Sequence, residues 1–282
     1  MRAVMFPGQG SQYVGMGEHL FDAFPELVSK ANDVLGYSVE ELCLRDSNGR
    51  LHQTEFTQPA VYVVSALDYL LFARSNVDDS GVDYFLGHSL GEYAALFAAG
   101  VFDFVSGLLL VKERARLMAG MREGGMAAII GLDSVQVQNV LDCDNFSRLS
   151  VANYNSPSQT VISGDRKQIS EAENAFIAAG AKRYVTLRVS GAFHSRFMEP
   201  AAREYERTVR GSYFSRPKVP VIANTSAREY KYDQIAVMLL RQLVEPVKWC
   251  DSVRYVAHLG VSEFQEFGPG RVLTGLNRQI LR

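Results

Sequence analysis

The chain lacks the features that mark several large protein classes. Its three cysteines, Cys43, Cys143 and Cys250, are odd in number and far apart. That spacing offers neither a disulfide framework nor a metal site, and it fits a reducing compartment. An excess of one charge is also missing, since 29 basic against 31 acidic residues leave a formal net charge of -2. Without a basic field, nucleic acid is not an expected partner. No apolar run reaches the length expected of a membrane span. The N-terminal run Ala3-Val4-Met5-Phe6 is cut off by Pro7 and is too short for a signal peptide. The expectation is a cytoplasmic protein with no membrane partner. No internal repeat, low-complexity tract or Pro/Gly/Ser-rich linker interrupts the chain. What is present is 282 residues, 47% of them hydrophobic, enough for a sizeable core and one or two domains.

The most informative stretch is Gly87-His88-Ser89-Leu90-Gly91, of the form G-x-S-x-G. It follows the apolar run Val82-Asp83-Tyr84-Phe85-Leu86 and precedes the helix former Glu92-Tyr93-Ala94-Ala95-Leu96. Strand, tight turn and helix are the context of a nucleophile elbow. The glycines let the backbone turn and leave Ser89 exposed at the strand end. The N–H of Leu90 then points where an oxyanion forms, and the helix dipole favours negative charge there.

Before the elbow, residues 3–6 read as a buried strand ending in the turn-rich loop Pro7-Gly8-Gln9-Gly10-Ser11-Gln12. Gly8-Gln9-Gly10 lacks the third glycine of a dinucleotide fingerprint, because Tyr13 stands there. Locally it reads as a plain turn, the alternative being a loop that puts Gln9 near the elbow. Residues 20–35 and 39–44 look helical. Thr57-Gln58-Pro59 opens a long apolar helix over residues 60–74, with Pro59 in its first turn.

After the elbow, a helix over residues 105–121 carries Arg114 on its apolar stripe. Leu110, Val111, Leu117 and Met118 share its face, while Lys112, Glu113 and Arg116 fall elsewhere. A charge there is costly unless paired. A structural ion pair, a snorkelling arginine and a pocket guanidinium gripping a carboxylate all fit this pattern.

Residues 126–189 change character. Strands over 126–131, 149–153, 160–163 and 183–189 alternate with helices over 134–141 and 168–179, in the order βαββαβ. That is the ferredoxin-like unit, here inserted into a larger α/β domain. The expected division is residues 1–124 and 191–282 for the large domain and 125–190 for the insert. Strands over 219–223 and 263–267 and helices over 196–209, 236–244, 247–257 and 272–280 complete the large domain. Gly268-Pro269-Gly270-Arg271 lacks the Lys-Ser/Thr of a phosphate loop and reads as a turn.

Serine needs a base. Of five histidines (His19, His52, His88, His194 and His258), only His194 lies in a Gly/Ser-rich strand-to-helix junction, Ser190-Gly191-Ala192-Phe193-His194-Ser195. Ser89 with His194 is the inferred acyl-transfer pair. The adjacent His88 should point elsewhere. An acid between Ser89 and His194 in sequence normally orients the histidine. Asp103, Asp133, Asp142, Asp144 and Asp165 are the candidates, and none sits at a strand end of the main sheet. A backbone carbonyl in that role, or a serine–histidine dyad, remains open.

With these residues assembled, the sequence resembles the malonyl-CoA:acyl-carrier-protein transacylases of fatty acid synthesis. It looks closest to the acyltransferases of polyketide synthases, including the free-standing, trans-acting ones. The resemblance spans essentially the whole chain. It rests on Phe6-Pro7-Gly8-Gln9-Gly10-Ser11-Gln12, Thr57-Gln58-Pro59-Ala60, Gly87-His88-Ser89-Leu90-Gly91-Glu92-Tyr93, Arg114, Asn155-Ser156-Pro157, His194, Arg241-Gln242-Leu243, Pro246-Val247 and Gly268-Pro269-Gly270.

The resemblance implies a hydrolase-like α/β domain with a ferredoxin-like insert. It implies that Ser89 forms the acyl ester and that His194 is base and then acid. The N–H groups of Gln9 and Leu90 would form the oxyanion hole, and the carbonyl of Gln242 would orient His194. Arg114 would pair with the malonate carboxylate, with Gln58 and Phe193 as further substrate-pocket residues. No metal or redox cofactor is implied, since the coenzyme A thioester is a substrate. The implied partners are malonyl-CoA and an acyl carrier protein, and a monomer is expected. Ala192-Phe193-His194 resembles the malonyl-selective polyketide form, in which a bulky ring leaves little space for an α-methyl group. Leu90, rather than glutamine, after the serine agrees, whereas Gly191 replaces a histidine often found there. Rival readings are an acyl hydrolase that clears stalled carrier proteins, a non-catalytic docking module of a synthase and a generic esterase. Arg114 weighs against the hydrolase, the intact Ser89, His194 and Arg114 against the docking module, and the missing acid against the esterase.

Overall fold

The computed structural model describes residues 1–75, 81–142 and 146–282. Strand β1 (Arg2–Phe6) shows why helices must lie on both sides of the main sheet. Its side chains alternate, so that Val4 and Phe6 join one apolar cluster while Ala3 and Met5 join another on the opposite face. β1 pairs in parallel with β2 (Tyr84–Gly87) on one side and β9 (Glu263–Glu266) on the other. β2 pairs in parallel with β7 (Val221–Ala223), and the short β8 (Arg228–Glu229) closes that edge antiparallel. The order β8-β7-β2-β1-β9 puts the serine-bearing strand at the centre. Because β1, β2 and β7 run the same way, the residues that follow them gather at one edge of the sheet.

One face is covered by α4 (Thr54–Ser75), α5 (Gly91–Ala98), α6 (Phe104–Gly120), α9 (Glu199–Arg210) and α10 (Ile235–Val244). The other face packs on α11 (Trp249–His258) and α12 (Val272–Ile280). Short α1 (Glu18–Phe21), α2 (Pro25–Leu35) and α3 (Val39–Leu44) lie beside α4 and α6. The helix expected over residues 20–35 is thus broken. Pro25 cannot continue a helix from α1 but suits the first turn of α2.

α4 departs further from expectation. It starts at Thr54, so Pro59 is inside the helix rather than at its opening. The first turn forms early because the N–H groups of Phe56 and Thr57 both reach the Gln53 carbonyl, and the Thr57 hydroxyl donates to Leu51 O at 2.6 Å. The proline deprives only Glu55 of its helical N–H partner, and Glu55 is exposed to water. At 22 residues with a mean hydropathy of 1.2, α4 is long and apolar enough to cross a membrane by length and composition, contrary to expectation. Its buried share, 61%, is that of a core helix.

The segment after α6 forms its own sheet and core. β3 (Gly125–Ile130), α7 (Ser134–Leu141), β4 (Leu149–Ser156), β5 (Gln159–Gly164), α8 (Arg166–Ala178) and β6 (Arg183–Thr186) follow in sequence. Their four strands are antiparallel in the order β4-β5-β3-β6, and Ala127, Ile129, Ile162 and Phe176 fill the space beneath the helices. β6 stops three residues short of the expected strand. Asp133 caps α7 in a capping box with Gln136, and Asp165 caps α8. The segment is tied to the main sheet's helical layer at Val247. That residue's N–H donates to Ala152 O at 2.8 Å, and its carbonyl accepts from Tyr154 N–H at 2.9 Å. Cys43 and Cys250 are buried free thiols, while Cys143 lies outside the described residues.

Candidate active site

Between β2 and α5 the backbone doubles back, and Ser89 takes φ +50°. Four described non-glycine residues have positive φ, and two of them are Ser89 and His194 (φ +57°). Such strain concentrates where a side chain must be aimed. The flanking glycines are obligatory. A Cβ on Gly87 would lie 2.0 Å from the Gly91 carbonyl carbon, and one on Gly91 would lie 2.0 Å from Phe6 O. Asn224, just beyond β7, holds the turn from the side. Its Oδ1 accepts from Ser89 N–H at 2.7 Å and its Nδ2 donates to Gly87 O at 2.6 Å.

His194 bridges Ser89 and α10. Its Nε2 is 2.8 Å from Ser89 Oγ, and its Nδ1 is 2.7 Å from Gln242 O. A carbonyl only accepts, so the proton sits on Nδ1 and Nε2 is free to receive the serine proton. Burial, and secondly the Arg114 charge, push the imidazole down to about 3, so it is neutral near pH 7. The acids considered from the sequence serve elsewhere. Asp103, Asp133 and Asp165 cap helices, and Asp142 accepts from the Gln138 side chain. Asp144 lies outside the described residues.

Arg114 is 1% exposed. Nη1 donates to Gln58 Oε1 at 2.6 Å, and Nη2 donates to Ser89 Oγ and Gln242 Oε1, both at 3.0 Å. Nε has no partner. Among the described residues no ion pair includes Arg114. Of the three possibilities left open by the sequence, the ion pair and the snorkelling side chain do not match this environment. The guanidinium is buried, held by neutral amide oxygens, and faces a cavity.

That cavity measures about 100 Å³ and is lined by Ser89, His194, Arg114, Gln58, Gln9 and Leu90. Phe193 forms part of its wall. Gln242 stands behind, joined to three of these residues. The Gln9 side chain donates to Thr54 Oγ1 at 3.2 Å. Among the described residues, the backbone N–H groups of Gln9 and Leu90 find no acceptor within the protein. Two free N–H groups beside one serine can stabilise an oxyanion. His88 follows another path, its Nε2 meeting Asn155 Oδ1 at 2.8 Å and its ring lying 5.7 Å from that of Trp249.

The acyl transferase domain family matches residues 4–276. The chain belongs to this family. It is 47% identical over 99% of its length to the polyketide biosynthesis malonyl CoA-acyl carrier protein transacylase BaeC of Bacillus velezensis, covering 96% of that protein. It is 49% identical over its whole length to the polyketide biosynthesis protein ThaF of Burkholderia thailandensis, of which it spans 24%. A crystal structure of a malonyl CoA-acyl carrier protein transacylase from Burkholderia pseudomallei superposes with a TM-score of 0.95 at 44% identity, covering 100% of this chain and 98% of that one.

The site of this acyl transferase also contains side chains to which sequence reasoning gave no role. Asn224 follows a buried strand, and a polar residue at the end of a parallel strand is the signal that marks it. Glu92, 1% exposed, stands three residues after Ser89, and burial pushes its carboxyl up to about 7. The side chain of Gln242, as distinct from its carbonyl, gave no sequence signal.

Proposed function

We propose that this acyl transferase moves a malonyl group from coenzyme A to the phosphopantetheine thiol of an acyl carrier protein, through an ester on Ser89. The observation that carries this reading is Arg114, a buried guanidinium with no carboxylate partner among the described residues, 3.0 Å from the serine oxygen. A thioester whose acyl group ends in a carboxylate supplies the missing anion and is held with its carbonyl near Ser89. Ser89 Oγ attacks that carbonyl and His194 Nε2 takes its proton. The tetrahedral oxyanion sits between the N–H groups of Gln9 and Leu90. The C–S bond then breaks, and the proton passes from His194 to the departing thiolate. A carrier thiol reverses these steps, giving ping-pong kinetics. No metal or redox group takes part in this scheme.

The fold supports the same reading. The antiparallel order β4-β5-β3-β6 suits a ferredoxin-like insert over residues 125–190, and the parallel sheet with its elbow suits a hydrolase-like domain over 1–124 and 191–282. Acting as a cytoplasmic monomer, the enzyme would supply malonyl units for polyketide or fatty acid synthesis.

The test is intact-protein mass spectrometry after brief mixing with malonyl-CoA, methylmalonyl-CoA or acetyl-CoA. The expected result is a malonyl adduct on the wild type, none on Ser89→Ala, and discharge of the adduct onto a carrier protein. Equal loading from acetyl-CoA with decay into water would make the protein an acyl hydrolase. No adduct from any donor would leave a docking module.

A further inference from the structure

Glu92 is a buried carboxyl that the reaction scheme does not use. It lies in the first turn of α5, where Oε1 accepts from Asn224 N–H at 2.8 Å and Oε2 accepts from Gln242 Nε2. The same Gln242 nitrogen donates to Ser89 O at 2.9 Å, while its Oε1 accepts from Arg114 Nη2 at 3.0 Å.

A glutamine amide has one donating end and one accepting end, and turning it over exchanges them. The Ser89 carbonyl and an ionised Glu92 only accept, whereas a guanidinium only donates. All three neighbours therefore demand one orientation. The reverse sets NH₂ against the guanidinium and the oxygen against two acceptors, in a buried site where mismatched polar groups cost most. We propose that Glu92 is a positioning residue whose carboxylate locks the Gln242 amide with its oxygen towards Arg114, so that the guanidinium is aimed at the acyl carboxylate. This rests on the malonyl-transfer reading.

The arrangement explains why the acid stands one residue removed from Arg114. A carboxylate in direct contact would fill the positions that the substrate needs. Placed behind Gln242, Glu92 fixes the geometry and leaves the guanidinium to neutral oxygens. An amide at position 92 cannot do the same. Its oxygen would be claimed by Asn224 N–H, leaving its NH₂ against the NH₂ of Gln242.

The groups facing Glu92 are Arg114 from α6 and the Tyr230 hydroxyl from beyond β8, with Tyr93 of α5 and Tyr205 of α9 nearby. Burial raises the carboxyl while Asn224, Tyr230, Gln242 and Arg114 lower it, and the balance falls at about 7. Protonation removes one acceptor from the Gln242 amide. Malonyl loading should therefore decline as pH falls through neutrality, although His194 stays neutral far below that point.

The experiment compares wild type, Glu92→Gln, Glu92→Asp, Gln242→Leu and the Glu92→Gln/Gln242→Leu double variant. Two quantities are read across the neutral pH range: kcat/KM for malonyl loading, and the rate at which a small uncharged fluorophosphonate labels Ser89. Glu92→Gln should lower malonyl kcat/KM roughly 10- to 100-fold at mildly alkaline pH and abolish the acid limb. Probe labelling should fall clearly less than malonyl loading, since His194 is held by a main-chain carbonyl and only the Arg114 contact to Ser89 Oγ is disturbed. Glu92→Asp should recover part of the loss, and the double variant should be no worse than Gln242→Leu alone. The proposal is overturned if Glu92→Gln loads malonate like the wild type. It also fails if probe labelling falls in parallel with loading, or if the two single losses multiply in the double variant. A wild type that takes the probe but no malonyl group overturns the functional reading itself, and this inference with it.

Discussion

Arg114 Nη2 donates to Ser89 Oγ across 3.0 Å, on the same oxygen that His194 Nε2 meets at 2.8 Å. Cation and base thus converge on the nucleophile. With no acyl group bound, the guanidinium favours the developing alkoxide and adds to burial, the larger cause, in keeping His194 neutral. When a malonyl carboxylate arrives, it offers the guanidinium a stronger partner. In the proposed scheme, the residue that recognises the acyl group is therefore also part of the electrostatic setting of Ser89.

Replacing Arg114 should separate these two effects. Arg114→Ala should lower kcat/KM for malonyl loading by roughly a hundredfold or more, since charge-assisted bonds to a buried carboxylate are lost. Acetyl loading should fall less or rise, because no unpaired charge is then buried against an apolar group. Arg114→Lys should not restore malonyl transfer, because an ammonium cannot span both Gln58 and Gln242 oxygens while gripping a carboxylate. Donor competition read by mass spectrometry checks this. An unchanged malonyl-to-acetyl ratio in Arg114→Ala would remove Arg114 from recognition.

The elbow predicts a contrast between two glycines. Gly91→Ala drives a Cβ to 2.0 Å from Phe6 O, a rigid backbone atom at the end of β1, where α5 packs against the sheet. It should cost more than about 4 kcal/mol and leave little soluble protein. Gly275→Ala in α12 meets no atom within 4 Å and should stabilise by up to about 1 kcal/mol. Thermal unfolding of both variants decides the matter, and a well-folded Gly91→Ala would contradict the packing described here.

The legible parts of this protein were the ones written locally. The elbow needed only the glycines around Ser89 and the strand and helix that flank them. The βαββαβ segment followed from the alternation of strands and helices after the Arg114 helix. Arg114 stood out because its neighbours at helical spacing are apolar. What escaped depends on contacts between elements far apart in the sequence. Asn224 reaches the elbow across 135 residues of sequence because β7 lies beside β2. Gln242 and Glu92 meet across 150 residues. The opening of α4 was misjudged for a local reason, because Pro59 resembles a helix start and the hydroxyl bonds of Thr57 carry no pattern.

Glu92 also makes a prediction about stability. Its carboxyl is raised from 4.5 to about 7, so the fold prefers the protonated form. A raised acid contributes stability that is fully present below its unfolded value and is lost as pH rises through the folded one. Glu92→Gln removes that loss. The difference in unfolding free energy, variant minus wild type, should become more favourable to the variant by about 3 kcal/mol as pH rises from below 4.5 to above about 7. His194 is depressed and acts in the opposite sense, but it is common to both proteins and cancels. A pH-independent difference between the two melting curves would mean that Glu92 does not titrate near neutrality in the fold.

Phe193 sets the last prediction. Its ring is buried, lines the cavity of about 100 Å³, and immediately precedes His194. A malonyl group anchored at Arg114 and Ser89 has its α-carbon between those two points, so an α-methyl group must find space against the wall. Phe193→Ala opens that wall without touching the His194–Gln242 bond. One methyl group in an apolar pocket is worth roughly 1–3 kcal/mol, so the methylmalonyl-to-malonyl ratio of kcat/KM should rise about ten- to a hundredfold. Malonyl loading itself should fall only modestly, because its carboxylate and thioester contacts remain. The ratio is measured in a mixture of both coenzyme A esters. If it stays at the wild-type value while malonyl loading survives, the α-carbon faces Met118 or Val189 instead, and selectivity must be sought on that side of the cavity.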